Sequence, residues 1–184
     1  MRIDLGCGQD KQPGHLGVDR LALPGVDVVT DFERALPFRT DSIESVYSKS
    51  VLEHVGDLEC VMSELHRVVK PGGELRILVP HFSSPLSFSD WTHKRFFGYY
   101  TFDYFVPQSQ QRSRRKVPDF YTAFKFRIVS KRLKFVTYFL PLLPLYWLWE
   151  RLVNANETFA LMYESMFCYL IPCYSMEIRL EPVK

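Results

Sequence analysis

The chain has little of what most readily betrays a function. Its 23 lysines and arginines stand against 21 acids, a net charge of +2, far from the basic balance of a protein that grips nucleic acid by its phosphates. Four cysteines occur, Cys7, Cys60, Cys168 and Cys173. Only the last two are close, at a spacing that fits no common zinc pattern, so reduced thiols and no metal site are expected. No apolar run reaches the roughly 20 residues that a spanning helix needs. The nearest, "YFLPLLPLYWLW" from Tyr138 to Trp149, is short and interrupted by Pro141 and Pro144. The start of the chain lacks a basic segment followed by an apolar core, which argues against a secretory leader and makes the cytoplasm the expected location.

One local absence is more pointed. The opening "MRIDLGCGQDKQPGHLGVD" runs from an apolar strand through glycines into a second strand, whereas a parallel crossover usually takes at least about 10–12 residues. Between Gly8 and His15 there is no room for a helix. A dinucleotide site needs that helix, because the pyrophosphate sits on its free N–H groups, and it needs a third glycine. "GCGQDK" supplies neither, which removes an NAD-dependent oxidoreductase from consideration.

What is present is globular: 184 residues, 47% hydrophobic and 24% charged, are most simply one domain. In the first eighty residues short apolar runs alternate with turn signals. "RIDL", "HLGVD" and "VDVVTD" read as three strands of a parallel sheet, closing on Asp4, Asp19 and Asp31. "TDSIESVYSKS" predicts a fourth, and Leu58, Val61, Met62, Leu65, Val68 and Val69 recur at helical spacing. Pro71-Gly72-Gly73 is expected to end that helix before the strand "ELRILVP", giving a right-handed βαβ unit. Much of the aromatic excess, 15% of the chain, follows Pro80. There "HFSSPLSFSDWTHKRFFGYY" and its continuation are too aromatic for a solvated linker. "FKFRIVSKRLKF" alternates like a strand or hairpin, "NETFALMYESMFCYLI" reads as one helix, and "SMEIRL" ends the chain as a strand.

Taken in order, "IDLGCG", "GVD", "VVTDFERALPF", "SVLEHV" and "LHRVVKPGGELRILVP" resemble a class I S-adenosylmethionine-dependent methyltransferase over about residues 2–80. "DWTHKRFF" and the late "YE" are similar to a compact, little-characterised prokaryotic group of the methyltransferase type 11 kind. The resemblance implies an α/β fold, the Rossmann-like three-layer sandwich of that class, with a mostly parallel sheet, an antiparallel C-terminal strand and few helices in the N-terminal half. It implies one domain over 1–184, with 1–80 binding cofactor and 81–123 and 136–173 forming acceptor-side or lid insertions. S-adenosylmethionine carries no phosphate, so a glycine turn without a helix suits it. Gly6, Cys7 and Gly8 would allow close backbone approach, Asp19 would hold the ribose hydroxyls, and Asp31 with Phe32 would meet the adenine. Asp4 would lie near the methionine amino group, and the stretch from Ser48 to Leu52 would line the cofactor.

Methyl transfer needs a base only when the acceptor must lose a proton. His54, His81 and His93 are the candidates, His81 because it directly follows the fifth strand. Each also has a purely structural reading, as does Glu164, a possible buried partner for a cation. The expected acceptor is a small or lipid-linked molecule, methylated at oxygen. "RSRRK" (Arg112 to Lys116) reads as a solvated loop or an anion contact. The segment 131–149 reads as a peripheral membrane contact, a buried excursion or a subunit interface. A non-catalytic partner subunit that has kept the cofactor fold is the competing class, and a homodimer across a sheet face bared of helices is a further expectation.

Overall fold

The computed structural model describes residues 1–112 and 115–184; Ser113 and Arg114 of the "RSRRK" run lie outside the described residues. Seven strands form one sheet: β1 (Arg2–Leu5), β2 (Leu16–Asp19), β3 (Val28–Val29), β4 (Ile43–Lys49), β5 (Val69–Pro80), β6 (Lys125–Lys134) and β7 (Ser175–Val183). Their order is β3-β2-β1-β4-β5-β7-β6. The first five pair in parallel, and β7 inserts antiparallel between β5 and β6, as expected of the C-terminal strand. "FKFRIVSKRLKF" is one strand with a register shift between Ile128 and Ser130. Chain direction reverses its march across the sheet between β1 and β4, the place where open α/β sheets bind ligands.

The two sheet faces differ in chemistry. Ile3, Leu5, Val46, Leu75, Ile77 and Ile178 are buried and share their core with the apolar stripe of α1 (Leu58–Val68), namely Leu58, Val61, Met62, Leu65 and Val68. Asp57 caps α1 by accepting from Cys60 N at 2.9 Å. On the other face Gly17, Asp4, Tyr47, Arg76 and Arg179 lie side by side across five strands. This row explains the missing helices. It is polar, with Arg76 bound to Glu177 at 2.8 Å, and loops lie directly on it. A Cβ on Gly17 would come within 2.8 Å of Cys7 Sγ, Gly25 O and Lys11 Cδ. The face is therefore charged, and loops cover it at Gly17.

Two boundaries depart from the sequence reading. The helix α1 ends at Val68, before Pro71-Gly72-Gly73, because Asp41 N and Ser42 N take the carbonyls of Arg67 and Val68 at 3.0 and 2.9 Å. Val69 already pairs with Ile43, and the Pro-Gly-Gly segment forms an irregularity within β5, with Gly72 at φ +75°. The stretch "NETFALMYESMFCYLI" is not one helix. α4 (Glu157–Met162) gives way to a wider π turn over Tyr163–Phe167.

After β5 come α2 (Pro85–Ser89) and 3-10 turns at Thr101–Phe105 and Gln108–Gln110. Phe97 and Phe102 stack at 5.6 Å in the core. A helix α3 (Leu143–Val153) follows β6. Its Leu145, Trp147 and Leu148 are each about 60% exposed. Among the described residues no helix is long and apolar enough to cross a membrane.

Candidate functional site

The loops at the C-terminal ends of the parallel strands are fixed by carboxylates that accept from backbone amides. Gly6 N and Cys7 N both donate to Val18 O, at 2.7 and 3.3 Å, so the glycine turn closes onto β2. Gly6 sits at φ +68°, and a Cβ there would stand 2.3 Å from Val51 Cγ2. Asp19 accepts from Gly8 N at 2.9 Å and from Leu21 N at 3.0 Å, one bond to each oxygen, leaving each oxygen a further lone pair. Asp4 is buried and accepts from Gln12 N at 2.7 Å; burial raises its carboxyl above the usual range against the pull of that amide. Asp27 takes Gly17 N and Lys11 Nζ, and the Lys11 hydrogen bond lowers its carboxyl.

Three cavities meet over these loops. One of about 280 Å³ is lined by Gly6, Gly8, Asp19, Asp31, Phe32, Ser50, Val51 and His54, among others. A second, about 200 Å³, holds Asp4, Gly6, Cys7, Gln12, Tyr47 and Lys49. The third, about 320 Å³, holds Lys49, Ser50, Glu53, His54, Leu86, Asp90, His93 and Tyr174. Gly6 borders the first two, Lys49 the second and third, and Ser50 with His54 the first and third. Ser50, which follows β4, takes φ +57°, a left-handed conformation that costs a non-glycine residue of order 1–3 kcal/mol and is common at ligand sites. Its N–H donates to Leu78 O at 3.0 Å.

The third cavity owes its polar floor to two segments far apart in sequence. The carbonyl of Glu53 accepts from Lys94 N and Arg95 N at 2.7 and 3.1 Å, and Arg95 Nε donates to Val55 O at 3.1 Å. "DWTHKRFF" is thereby docked onto "LEHV", and the rings of His54 and His93 meet edge to face at 4.8 Å. Glu53 is 1% exposed, and burial pushes its carboxyl up to about 7. Burial also lowers the His54 imidazole, assisted by His93.

Of the residues expected to line the site, Asp4, Gly6, Cys7, Gly8, Asp19, Asp31, Phe32, His54 and His93 all border the cleft. Asp31 is more than half exposed and tied to Glu33 N and Arg34; Phe32 is 8% exposed and largely given to the core. Two others do not border these cavities. Ser48 is buried, with Oγ unpartnered among the described residues, and Ser50 and Val51, just past the end of β4, stand at the cleft. His81 is 0% exposed, with Nδ1 on Ser83 Oγ at 2.8 Å and Nε2 on Glu164 at 3.0 Å. Both ring nitrogens are occupied internally, and the π turn is what brings Glu164 there.

Residues 7–77 match the family described as a methyltransferase domain. That segment is well under half of the chain, and over it the sequence is similar to a methyltransferase domain. The demethylmenaquinone methyltransferase of Streptomyces avermitilis is 35% identical over 72 residues, 39% of this chain and 30% of that protein. The chain thus spans under a third of that curated relative's length. A solved S-adenosylmethionine-dependent methyltransferase from Archaeoglobus fulgidus shares the fold at a TM-score of 0.55 and 16% identity, covering 98% of this chain and 85% of that one. A Haloferax volcanii methyltransferase solved in complex with the Trm112 activator gives 0.56 at 17%, covering 100% and 82%. The methyltransferase domain's matched segment ends inside β5, so the floor contributed by Asp90 and His93 lies beyond it. Glu53 is visible in the sequence as part of "LEHV", but nothing there signals its pairing with residue 93.

Proposed function

We propose that the chain binds S-adenosylmethionine in the first two cavities and transfers its methyl group to an oxygen of a molecule seated in the third. The carrying observation is the shared wall: Ser50 and His54 border both the cavity with the strand-end acids and the cavity with the histidines. In this reading Asp19 takes the ribose hydroxyls, Asp31 and Phe32 the adenine, and Asp4 the ammonium of the methionine tail. The acceptor oxygen attacks the methyl carbon in line with the departing sulfur. The C–S bond breaks, its electron pair neutralises the sulfonium, and S-adenosylhomocysteine leaves. Since the carbon is already activated, most of the catalytic gain is positioning. The acceptor's proton is managed at the Glu53, His54 and His93 cluster and not at His81.

The segments 81–123 and 136–173 serve the acceptor. Leu86, Asp90 and His93 line its cavity, while Tyr138, Phe139, Leu140, Leu145, Trp147 and Leu148 form an exposed apolar run flanked by the exposed Arg132 and Arg151. Such a run suits an amphipathic, lipid-linked acceptor reached at a membrane surface. Calorimetry with S-adenosylhomocysteine tests the cofactor half: micromolar binding is expected, and its absence refutes the reading. Co-sedimentation with anionic vesicles tests the acceptor half. S-adenosylhomocysteine binding without turnover on any acceptor would favour the competing reading, a non-catalytic partner subunit.

A further inference from the structure

Glu53, His54 and His93 each offer a donor atom within 4.8 Å of the other two, and the hydrogen bonds around them fix which atoms are free. Thr92 Oγ1 has one proton, and it goes to Asp90 Oδ1 at 2.6 Å, since a carboxylate only accepts. The same Oγ1 lies 2.9 Å from His54 Nδ1, so it must accept there, and His54 carries its proton on Nδ1. His93 Nδ1 lies 3.1 Å from the carbonyl of Ser87 and is likewise the protonated nitrogen. In both rings the unshared pair is therefore on Nε2. His93 Nε2 stands 4.0 Å from Glu53 Oε1 and 3.7 Å from Asp90 Oδ2. A second observation is independent of the histidines. Glu53 Oε2 is buried and has no hydrogen-bond partner among the described residues, a costly state for a carboxylate that borders this same cavity.

We propose that Glu53, His54 and His93 bind one divalent metal ion of the zinc, manganese or iron(II) kind at the floor of the third cavity. Two imidazoles and one carboxylate are the donor set those ions share, and hard oxygen-seeking calcium and magnesium fit it poorly. The second layer has the form that metal-bound histidines use: Nδ1 of one ring donates to a backbone carbonyl, and Nδ1 of the other to a hydroxyl backed by a carboxylate. Ligands about 2.0–2.2 Å from a tetrahedral ion lie about 3.4 Å apart, so closing the present spacing asks each side chain to move by under about 1 Å. A fourth position opens toward the cavity. An acceptor oxygen bound there would lose its proton more readily. That role rests on the methyl-transfer reading; the binding rests on the donors alone.

The test uses the full chain, stripped with chelator and then loaded separately with zinc, manganese and cobalt(II), without S-adenosylmethionine. One metal ion per chain is expected after gel filtration. Cobalt should give visible d–d bands without the near-ultraviolet band of thiolate ligation. His54→Gln, His93→Gln and Glu53→Gln should each weaken binding at least ~10-fold, with thermal melts confirming that the variants are folded. Retention of none of the three metals overturns the proposal. So does undiminished binding in the folded His54→Gln/His93→Gln double variant, or a thiolate band that places the metal on cysteine. Because loss of S-adenosylhomocysteine binding is measured separately, failure of the cofactor reading and failure of the metal site are told apart.

Discussion

The two halves of the chain make their surfaces from different parts of the peptide. Up to Pro80, side-chain carboxylates are held by main-chain amides: Asp19 by Gly8 N, Asp4 by Gln12 N, Asp27 by Gly17 N. Beyond it, amides still reach carboxylates, as Tyr99 N does Glu164 and Phe135 N does Glu150, but side chains also hold one another in the interior, as in the buried Lys131–Asp103 pair, His81 with Glu164 and the Phe97–Phe102 stack. A cradle of amides depends on the path of the backbone and tolerates few changes at its glycines. A wall of interlocked side chains keeps its shape while its exposed members vary. The cofactor side should therefore break at backbone positions and the acceptor side at side-chain positions.

The sharpest break is expected at Gly6. Gly6→Ala must hold a side chain at φ +68° with its Cβ 2.3 Å from Val51 Cγ2, and the combined strain and overpacking should cost about 3 kcal/mol or more. Thermal melting should fall accordingly, and S-adenosylhomocysteine binding should be lost. Adding Val51→Ala should recover part of the stability and little of the binding, since the backbone strain stays. Recovery of full binding would mean that Gly6 matters for packing alone.

Asp19→Asn comes next. The amide can still accept from Gly8 N or Leu21 N through its one oxygen, but it sets an NH₂ against the other amide and loses the charge that two hydroxyls would bond. Affinity for S-adenosylhomocysteine should drop by about 10–100-fold, the effect of one or two charge-assisted hydrogen bonds, as read by calorimetry. Unchanged affinity would remove Asp19 from the ribose site.

How far the sequence discloses this structure follows the same division. The parallel strands, α1, the glycine turn and the strand-end acids are legible because period, turn chemistry and local capping agree there. The end of α1 is not, because its last carbonyls are taken by Asp41 N and Ser42 N, from a turn that precedes the whole helix in the chain and leaves no mark on its apolar pattern. Ser48 is misleading because it still lies within β4 and is buried there, whereas the cleft is lined from Ser50 on, where the backbone leaves the strand at φ +57°. His81 looks accessible by position, yet Glu164, 83 residues on, occupies it. The Glu53–His93 juxtaposition has no local signal at all, being made by backbone bonds from residues 94 and 95 to the carbonyl of residue 53.

A stability effect without a binding effect is expected one layer back from the cleft. Glu64 accepts from Arg67 Nε and Nη2 at 2.8 and 2.7 Å and from Leu36 N at 2.7 Å, while Arg67 also donates to the carbonyls of Leu36 and Phe38. This knot ties the segment before β4 to α1. The Arg67 hydrogen bond lowers the Glu64 carboxyl below its ordinary value, so its stabilisation is present above the unfolded carboxyl's pKa and is lost as pH falls through the folded one. Glu64→Gln should cost about 1–2 kcal/mol near neutral pH, and the difference from wild type should shrink in acid titrations of thermal stability. Product affinity should stay within about twofold, well under the tenfold that 1.4 kcal/mol represents.

The smallest effect on stability should come from the outer face of α3. Leu145 and Leu148 are 60% and 59% exposed, so the double change to serine removes little buried apolar area and should shift stability by no more than about 0.5 kcal/mol. If that face meets a lipid surface, the same change removes two side chains from the apolar side of the contact, each contributing of order 1 kcal/mol or more when buried. Vesicle co-sedimentation should then fall by at least about tenfold while melting and S-adenosylhomocysteine binding stay put. The cofactor half offers only scattered counterparts, Leu21 and Val29, since its large apolar side chains are mostly committed to the core under α1. An equal loss of stability and vesicle binding would show that α3 packs as core, and would erase the distinction between a fixed cradle and a variable acceptor wall at the one place where the wall is most exposed.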